Sequence, residues 1–269
     1  MGKPKLPELP FPTEMPSESG HLNMIIYALS GGGKTHLSGT AQDCEETSPC
    51  LFVDFEKGTE TLRGKAIEIA RPETWKEITT IYEYLRHDNT RFKSVILDSA
   101  TELQKKHSMG MILGELETEA AGYSDLGKAI VPTRSDWQRT GDQVRKVIRA
   151  FRDLAYLQEK DRRVHVIITA LEKFHDKKNL ICPQLPGALG DECGAMVDIL
   201  VRLSRQTVAE ISDTDGSEVF IMKRHLLTDE YTDEGGIRYM AKNRGSGLGK
   251  SMWEPTIAKI LEAWKGGRK

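Results

Sequence analysis

Short apolar runs, separated by polar and glycine-rich stretches, set the pattern of this chain. Four of these runs have the length and composition of buried strands: Leu22–Ala28, Leu51–Asp54, Ser94–Asp98 and Val164–Ala170. Apolar residues recur at helical spacing after the second run and again before the fourth, at Trp75, Ile78, Tyr82 and Leu85, then at Trp137, Val144, Ile148, Phe151 and Ala155. Strands that alternate with helices predict an α/β fold with a mostly parallel central sheet and helices on both faces.

The last third of the chain adds further elements. Residues 198–203, 207–211 and 218–222 are expected to be strands, with Asp213–Gly216 as a turn between the last two. A final helix is predicted from Pro255 through Trp264, because proline suits a helix start and the apolar residues that follow share one face.

Three segments lack clear periodicity. Residues 1–20 contain five prolines and predict a disordered, extended arm. Glycines interrupt residues 104–136, which predicts a partly irregular and mobile excursion, and residues 171–197 are expected to be rich in loops. Because no internal repeat or clear linker is present, residues 21–269 are expected to form a single domain.

Composition narrows the class of protein. The 269 residues include 38 Lys and Arg against 40 Asp and Glu, a net charge of -2, which argues against a globally basic nucleic-acid coat but leaves room for a local basic groove. No apolar run approaches the roughly 20 residues of a membrane helix, and the proline-rich start does not resemble a signal peptide. The four cysteines match no zinc pattern, so we expect reduced thiols, a cytoplasmic location and no membrane partner.

A glycine-rich segment directly after the first strand, Ala28 to Thr35, carries the strongest chemical signal. It fits the P-loop pattern with alanine in place of the first glycine. The glycines allow a tight turn that brings backbone N–H groups onto phosphate oxygens, and Lys34 would neutralise the β- and γ-phosphates. The residues predicted to bind nucleotide are Ser30, Gly31, Gly32, Gly33, Lys34, Thr35 and His36.

Carboxylates end two other predicted strands. Asp98 is a natural Walker B residue, which would hold Mg²⁺ opposite the Thr35 hydroxyl. Glu56 is the candidate for polarising the water that attacks the γ-phosphate of ATP, whereas nearby Asp54 is a candidate structural residue. Lys34 and Glu56 are thus the candidate catalytic residues at the P-loop, with ATP and Mg²⁺ as the expected ligands.

Together these motifs resemble the RecA/KaiC branch of P-loop ATPases. The segment Val53–Glu56 is similar to the one that carries the catalytic glutamate in RecA, and Leu97–Leu103 is similar to the Walker B signature of this branch. Met240–Arg244 resembles the late basic motif of RecA, whose basic residues reach the ATP held by a neighbouring subunit. The resemblance implies that Lys242 and Arg244 act in trans as catalytic contacts; a solvated basic turn is the alternative.

Within this branch the chain is most similar to phage-encoded RecA-like proteins that serve as single-strand annealing recombinases. Its size and the segment Pro183–Gly187, which precedes Asp198 and an apolar strand, carry this likeness. The resemblance implies one RecA-like domain, binding of single-stranded DNA, assembly with itself into rings or filaments, and a role in recombination or replication in the host cytoplasm. A single-strand binding protein is a further expected partner.

Binding of single-stranded DNA needs a basic track with groups that stack on bases. The segment after the fourth strand offers Lys173, Phe174, Lys177 and Lys178, and RecA-like proteins place a mobile DNA-binding loop there. A plain surface loop is the alternative. A second candidate is the helix that carries Arg139, Arg145, Arg149 and Arg152, although a solvated helix face accounts for these residues too.

Two other functions fit the same P-loop. A small-molecule kinase would need a lid with arginines, for which residues 134–163 are the candidate. A nucleotide-gated scaffold would bind ATP and protein partners but not DNA. The resemblance to RecA also makes Thr169, at the end of the fourth strand, a candidate sensor of the γ-phosphate, although RecA itself has a glutamine there.

Overall fold

A central β-sheet organises the fold. The computed structural model describes residues 20–113, 131–211 and 217–266. In spatial order the strands are β12 (Ser251–Trp253), β8 (Glu218–Leu227), β7 (Ile199–Ile211), β1 (Asn23–Ala28), β5 (His165–His175), β4 (Ser94–Asp98), β2 (Cys50–Asp54) and β3 (Glu68–Ala70). Short strands β6 (Leu180–Pro183), β9 (Tyr231–Thr232), β10 (Arg238–Tyr239) and β11 (Lys242–Asn243) pair at its margins.

The core of this sheet is parallel. Neighbouring strands from β7 through β1, β5, β4 and β2 to β3 all run in the same direction, whereas β8, β12 and β11 pair antiparallel at one side. The carboxyl ends of the parallel strands therefore meet along one edge, which is where open α/β sheets bind ligands. The predicted α/β fold class, a mostly parallel central sheet flanked by helices, is confirmed.

Helices cover both faces of the sheet. The helices α1 (Lys34–Gly39) and α7 (Ile257–Gly266) lie on one face, and α2 (Trp75–His87), α5 (Arg134–Asp153) and α6 (Leu189–Met196) lie on the other. Between β4 and α5 the chain forms α3 (Ala100–Glu102), a π-helical segment (Leu103–Ser108) and α4 (Met109–Ile112). Since the β1 side chains alternate between two apolar cores, this strand is buried on both faces.

The predicted irregular excursion at 104–136 is wrong at both of its ends. Helical structure continues from β4 as far as Ile112, and α5 begins at Arg134, where the Thr133 side chain caps it. Gly110 marked a break in the sequence pattern, but it is buried in α4, which packs beside α5. Tertiary packing thus outweighs the weak helix propensity of glycine. Residues 114–130 lie outside the described part of the chain.

The predicted loop-rich stretch at 171–197 is also partly wrong. It contains the end of β5, all of β6 and helix α6. Its glycines looked like helix breakers, but Gly190 lies inside α6. A Cβ at this position would come within 2.7 Å of the Pro183 carbonyl oxygen. The close approach of α6 to β6 therefore requires glycine.

The last elements follow the prediction with different bounds. The two strands expected at 198–203 and 207–211 are a single strand, β7, because β8 pairs with it along its whole outer length. The final helix begins two residues after the predicted Pro255, and its apolar face is buried as expected. The predicted arm, apart from Gly20, and the turn at 213–216 lie outside the described residues. Within residues 20–113, 131–211 and 217–266, no helix has the length and apolar character needed to cross a membrane.

Candidate nucleotide-binding site

The loop between β1 and α1 has the backbone shape that a phosphate cradle needs. Gly31 and Gly33 have φ angles of 73° and 95°, which side-chain-bearing residues rarely adopt. The N–H of Gly32 donates to the Leu29 carbonyl at 3.0 Å. A Cβ on Gly32 would lie 2.8 Å from the Ala28 Cβ, so the alanine at the start of the motif fits only because residue 32 is glycine.

Lys34 is held inside the loop. Its side chain is only 6% exposed, and Nζ donates to the Leu29 carbonyl at 3.3 Å. Burial lowers the pKa of Lys34, while the carboxylates of Glu56, Asp98 and Glu172 oppose that shift. The Lys34 ammonium is therefore surrounded by negative charge, and a bound phosphate group would supply negative charge of the same kind.

Thr35 and Asp98 meet although they are far apart in the chain. Thr35 Oγ1 donates to Oδ2 of Asp98 at 2.7 Å, and the hydroxyl of buried Thr169 donates to Oδ1 of the same carboxylate. Burial raises the pKa of Asp98, and the two hydroxyl hydrogen bonds oppose that shift. Thr169, a candidate phosphate sensor by sequence, therefore positions the Asp98 carboxylate.

Glu56 reaches the same edge of the sheet from β2. It is exposed, and its Oε1 accepts a hydrogen bond from Ser99, the residue that follows Asp98. Asp54 has a different role: its Oδ1 accepts from the backbone N–H groups of residues 56, 57 and 58, and its Oδ2 accepts from Arg71 Nε at 3.1 Å. The buried Asp54 thus fixes the turn that presents Glu56.

The residues present fit a polyphosphate and a magnesium ion. The space beside Gly31 is open, with no heavy atom within 4 Å of an added Cβ, and a hydroxyl and a carboxylate of the kind that bind Mg²⁺ lie side by side at Thr35 and Asp98. No group of three or more His, Cys, Asp or Glu side chains that could hold a metal is found within the described ranges. Ser30 and Gly31 are exposed on the outer side of the loop, and His36 is half-buried in the first turn of α1.

Comparison with known proteins agrees with this geometry. A family model described as an AAA domain matches residues 21–244. The chain belongs to this family. No curated protein matches it.

Solved structures similar to this AAA domain include the RadB recombinase, with a TM-score of 0.38 and 14% identity over 82% of this chain and 91% of that one. A prototypical ATPase from the type III secretion system of pathogenic bacteria also has a TM-score of 0.38, with 20% identity over 67% of this chain and 50% of the other. Both TM-scores lie below 0.5, so the assignment of this chain to the AAA family rests on the family model.

Lys242 and Arg244 lie at the other end of the sheet of this AAA domain. Lys242 in β11 pairs with Leu200, which is level with Ile25 near the start of β1. Lys242 Nζ donates to the carbonyls of Gly194 and Val197, at 2.5 Å and 3.2 Å, which end helix α6. Burial lowers the pKa of Lys242.

Arg244 binds the same region, since it donates to Oδ1 of Asp198 at 3.0 Å. The two residues are therefore not brought to the P-loop of their own chain, and a role in trans stays a prediction.

The predicted DNA-binding residues lie on an ordered β-hairpin formed by β5 and β6, not on an irregular loop. The hairpin projects beyond Leu171, which is level with the end of β1. Phe174 is 48% exposed, and Lys177 is exposed at the turn. Lys173 Nζ donates to the Leu185 carbonyl at 3.1 Å, and Lys178 forms an ion pair with Asp191.

The proposed kinase lid is a core helix. Val144, Ile148 and Phe151 of α5 are buried against the sheet, so this helix has no freedom to act as a hinged lid. Two of its arginines are also engaged: Arg145 with Asp142 and Glu192, and Arg152 with Asp153 and the Met196 carbonyl. Because these arginines already have partners within the chain, the contacts favour a helix face without a role in DNA binding.

Sequence patterns did not indicate the polar contacts beside the loop. Arg202 Nε donates to Oε2 of Glu172 at 3.0 Å, and the guanidinium lies over the Tyr239 ring at 4.8 Å. Glu172 and Arg202 line a cleft of about 420 Å³ with loop residues 29–32. They come from separate strands, and the observed pairing of β5 and β7 with β1 brings them together, which no local motif predicts.

Proposed function

We propose that this AAA domain is an ATP-binding, RecA-like DNA recombination protein of phage type. It binds single-stranded DNA, promotes strand annealing or pairing, and hydrolyses ATP slowly with Mg²⁺ at the interfaces between subunits of a ring or filament. It acts in the host cytoplasm, alongside a single-strand binding protein.

One observation carries the ATPase part of the proposal. Lys34, Thr35, Asp98 and Glu56 come from three separate segments and lie together at the carboxyl edge of the sheet, with Thr35 and Asp98 joined at 2.7 Å. Lys34 would bind the terminal phosphates, and Thr35 with Asp98 would hold Mg²⁺, which supplies charge neutralisation at the phosphates. Glu56 would orient and deprotonate the attacking water.

Slow hydrolysis in the isolated chain follows from the position of the basic pair at 242 and 244. Both residues lie at the opposite end of the sheet from their own P-loop. The corresponding residues of a neighbouring subunit would add further positive charge at the γ-phosphate, beside that of Lys34 and Mg²⁺. Assembly and hydrolysis are therefore coupled in this proposal.

The β5–β6 hairpin supports the DNA-binding part. It projects from the edge that carries the P-loop, and it presents an exposed aromatic ring at Phe174 beside the exposed Lys177. An aromatic ring with an adjacent cation suits a stacked base and its phosphate.

The first experiment measures nucleotide and DNA binding separately. Titration of the protein with fluorescent ATP and Mg²⁺ should show binding that Lys34→Ala abolishes. Anisotropy of a labelled single-stranded oligonucleotide at low salt should show binding that weakens steeply as salt rises. Absence of oligonucleotide binding both with and without ATP rejects the recombination function and favours the scaffold. Transfer of the γ-phosphate to anything but water favours the kinase.

A second experiment tests the hairpin. Phe174→Ala with Lys177→Ala should weaken oligonucleotide binding about 10-fold or more, because stacking alone contributes about 1–3 kcal/mol per base. Lys76→Ala is the control: Lys76 is an exposed lysine on helix α2, outside the hairpin, and its removal should leave the oligonucleotide affinity unchanged. Equal oligonucleotide affinity in the hairpin variant and the parent would place the DNA elsewhere.

A further inference from the structure

Two arginines face each other across the β7–β8 ribbon. Arg205 of β7 is directly opposite Arg224 of β8 in the antiparallel register. Directly opposed side chains lie on the same face of a sheet, with Cβ atoms about 4.5–5.5 Å apart, and like charges at such a position are destabilising. A pair of this kind needs an anion nearby.

Arg224 packs against the phosphate loop. Its Cδ lies 3.5 Å from the position that a Cβ on Gly33 would occupy, and Leu203 Cδ2 lies 3.8 Å from the same point. Because side chains alternate along a strand, Arg205 lies on the same face of the sheet as Leu203, two residues farther along β7. Both guanidinium groups therefore flank the loop on the face that carries α1.

The two arginines differ in their partners. Arg224 donates through Nε and Nη2 to Oε2 of Glu254, at 3.2 Å and 3.1 Å, and its backbone N–H donates to Oε1 of the same residue at 2.6 Å. Within residues 20–113, 131–211 and 217–266, Arg205 has no acidic partner. Among the described residues, the two opposed cations therefore have one acidic partner between them, Glu254, and it binds Arg224.

Open space surrounds this pair. Arg205, Arg224 and Glu254 line a cleft of about 480 Å³, and Arg205 also borders the 420 Å³ cleft formed with loop residues 29–32. His36, in the first turn of α1, lies close to Arg224: burial lowers the pKa of His36 most, and the charge of Arg224 lowers it further.

The strand order indicates which phosphates the arginines would meet. Asp98 is on β4, two strands from β1 on one side, and β8 is two strands from β1 on the other. Thr35, Asp98 and Glu56 gather toward β4 and β2, where the metal and the terminal phosphate would lie. A polyphosphate in the loop would then extend its nucleoside end toward β7 and β8.

We propose that Arg205 and Arg224 form a guanidinium clamp on the α- and β-phosphates of the nucleotide bound in the same chain. The proposal rests on the proposed nucleotide-binding function and adds two binding residues to it. The nucleotide phosphates supply the second anion that the pair lacks, so Arg224 exchanges part of its contact with Glu254 for phosphate on binding.

The test compares nucleotide affinities of variants. Arg205→Ala and Arg224→Ala should each weaken both ADP and ATP binding about 10-fold, because each variant loses a charge-assisted hydrogen bond to phosphate. Glu254→Gln should strengthen ADP binding a few-fold, because Arg224 loses its competing carboxylate. The readout is a fluorescent-nucleotide titration with Mg²⁺ at fixed salt.

Arg238→Ala is the matched control. Arg238 makes the same kind of two-point contact, through Nε and Nη2 to Glu230 at 3.1 Å and 2.8 Å, but it lies on β10, which pairs with β6 and β9, and it lines neither cleft. Its removal should leave nucleotide affinity unchanged. Arg205 has no partner within the described residues, so Arg205→Ala is expected to fold, and circular dichroism checks each variant.

Three outcomes overturn the clamp. The first is unchanged ADP affinity in both arginine variants, and the second is a loss confined to ATP, which would assign the arginines to the γ-phosphate. The third is a loss of oligonucleotide binding with intact nucleotide affinity, which would make them DNA contacts. A parent protein that binds no nucleotide fails the proposed function itself, so the two failures are distinct.

Discussion

At the scale of single residues, the candidate site depends on buried polar groups that satisfy one another. Asp98 is 2% exposed and accepts from two hydroxyl groups, those of Thr35 and Thr169. A buried carboxylate without such partners would cost several kcal/mol, so these threonines stabilise the ionised form that a metal requires. Residue types in the P-loop predict Thr35 for this role, but Thr169 is assigned to Asp98 only by the structure.

Glu56→Gln tests the catalytic assignment at this scale. The amide keeps the shape of the side chain but cannot take a proton from water, so ATP binding should be retained while hydrolysis falls about 100-fold or more. Single-turnover phosphate release, with fluorescent-nucleotide binding alongside it, measures both effects.

Glu60→Gln provides the control for that substitution. Glu60 is an exposed carboxylate in the next turn, paired with Arg63, and its change should leave both binding and hydrolysis as in the parent. Hydrolysis of equal rate in the Glu56 variant and the parent would remove Glu56 from the catalytic role.

At the scale of elements, close backbone approaches explain where the sequence pattern misleads. Gly190 looks like a helix breaker and Gly32 like a turn residue, but each also marks a point where a Cβ would lie less than 3 Å from another atom of the chain. In α6 this permits a helix to pack on a strand, and in the P-loop it permits a tight turn. A glycine in the sequence therefore indicates a place with no room for a Cβ, and only the tertiary structure shows whether that place is a turn or a packed helix.

Gly32→Ala tests the shape of the loop. The new Cβ would lie 2.8 Å from the Ala28 Cβ and 3.0 Å from the Leu29 carbonyl oxygen, so the loop must shift. We expect nucleotide affinity to fall about 10-fold or more with the fold intact, since overpacking of this size costs about 1–3 kcal/mol. Nucleotide titration and a thermal melt measure the two quantities.

Gly141→Ala is the matched control in α5. The nearest atom to its new Cβ is 3.8 Å away, an ordinary contact, so affinity should not change and the helix should gain slightly in stability. If Gly32→Ala binds nucleotide as tightly as the parent, the cradle does not depend on this close contact.

At the scale of the whole molecule, the two ends of the parallel strands carry different kinds of residue. The carboxyl ends of β1, β2 and β4 carry the candidate catalytic groups, while the amino ends carry buried polar contacts that hold the strands. One of these is the N–H of Leu22, which donates to Nδ1 of His165 at 2.9 Å. Stability and activity can therefore be perturbed separately in this fold.

His165 gives the fold a specific dependence on pH. Burial lowers its pKa to about 3 from the ordinary value of 6.5, with a smaller effect from His21. Between these values the unfolded chain binds a proton that the folded chain does not. The stability from neutral His165 is therefore complete above pH 6.5 and is lost as the pH falls toward 3, by up to about 4 kcal/mol.

Urea unfolding at a series of pH values between 4 and 7 checks this expectation. His165→Asn keeps an acceptor for Leu22 but cannot take up a proton, so the free energy of unfolding should fall less steeply with acid, by about one proton. His87→Asn, at an exposed position on α2, should follow the parent. An identical slope in His165→Asn and the parent would contradict the assignment.

The sequence by itself determined the P-loop, the positions of the buried strands along the chain and the fold class, because each depends on local composition and period. It also predicted Asp98 and Glu56 as strand-end carboxylates. The positions of Thr169, Arg205 and Arg224 were decided only by the tertiary structure, since strands distant in the chain bring them to the loop. Lys242 and Arg244 show the same limit: their motif is visible in the sequence, but strand pairing places them at the far end of the sheet.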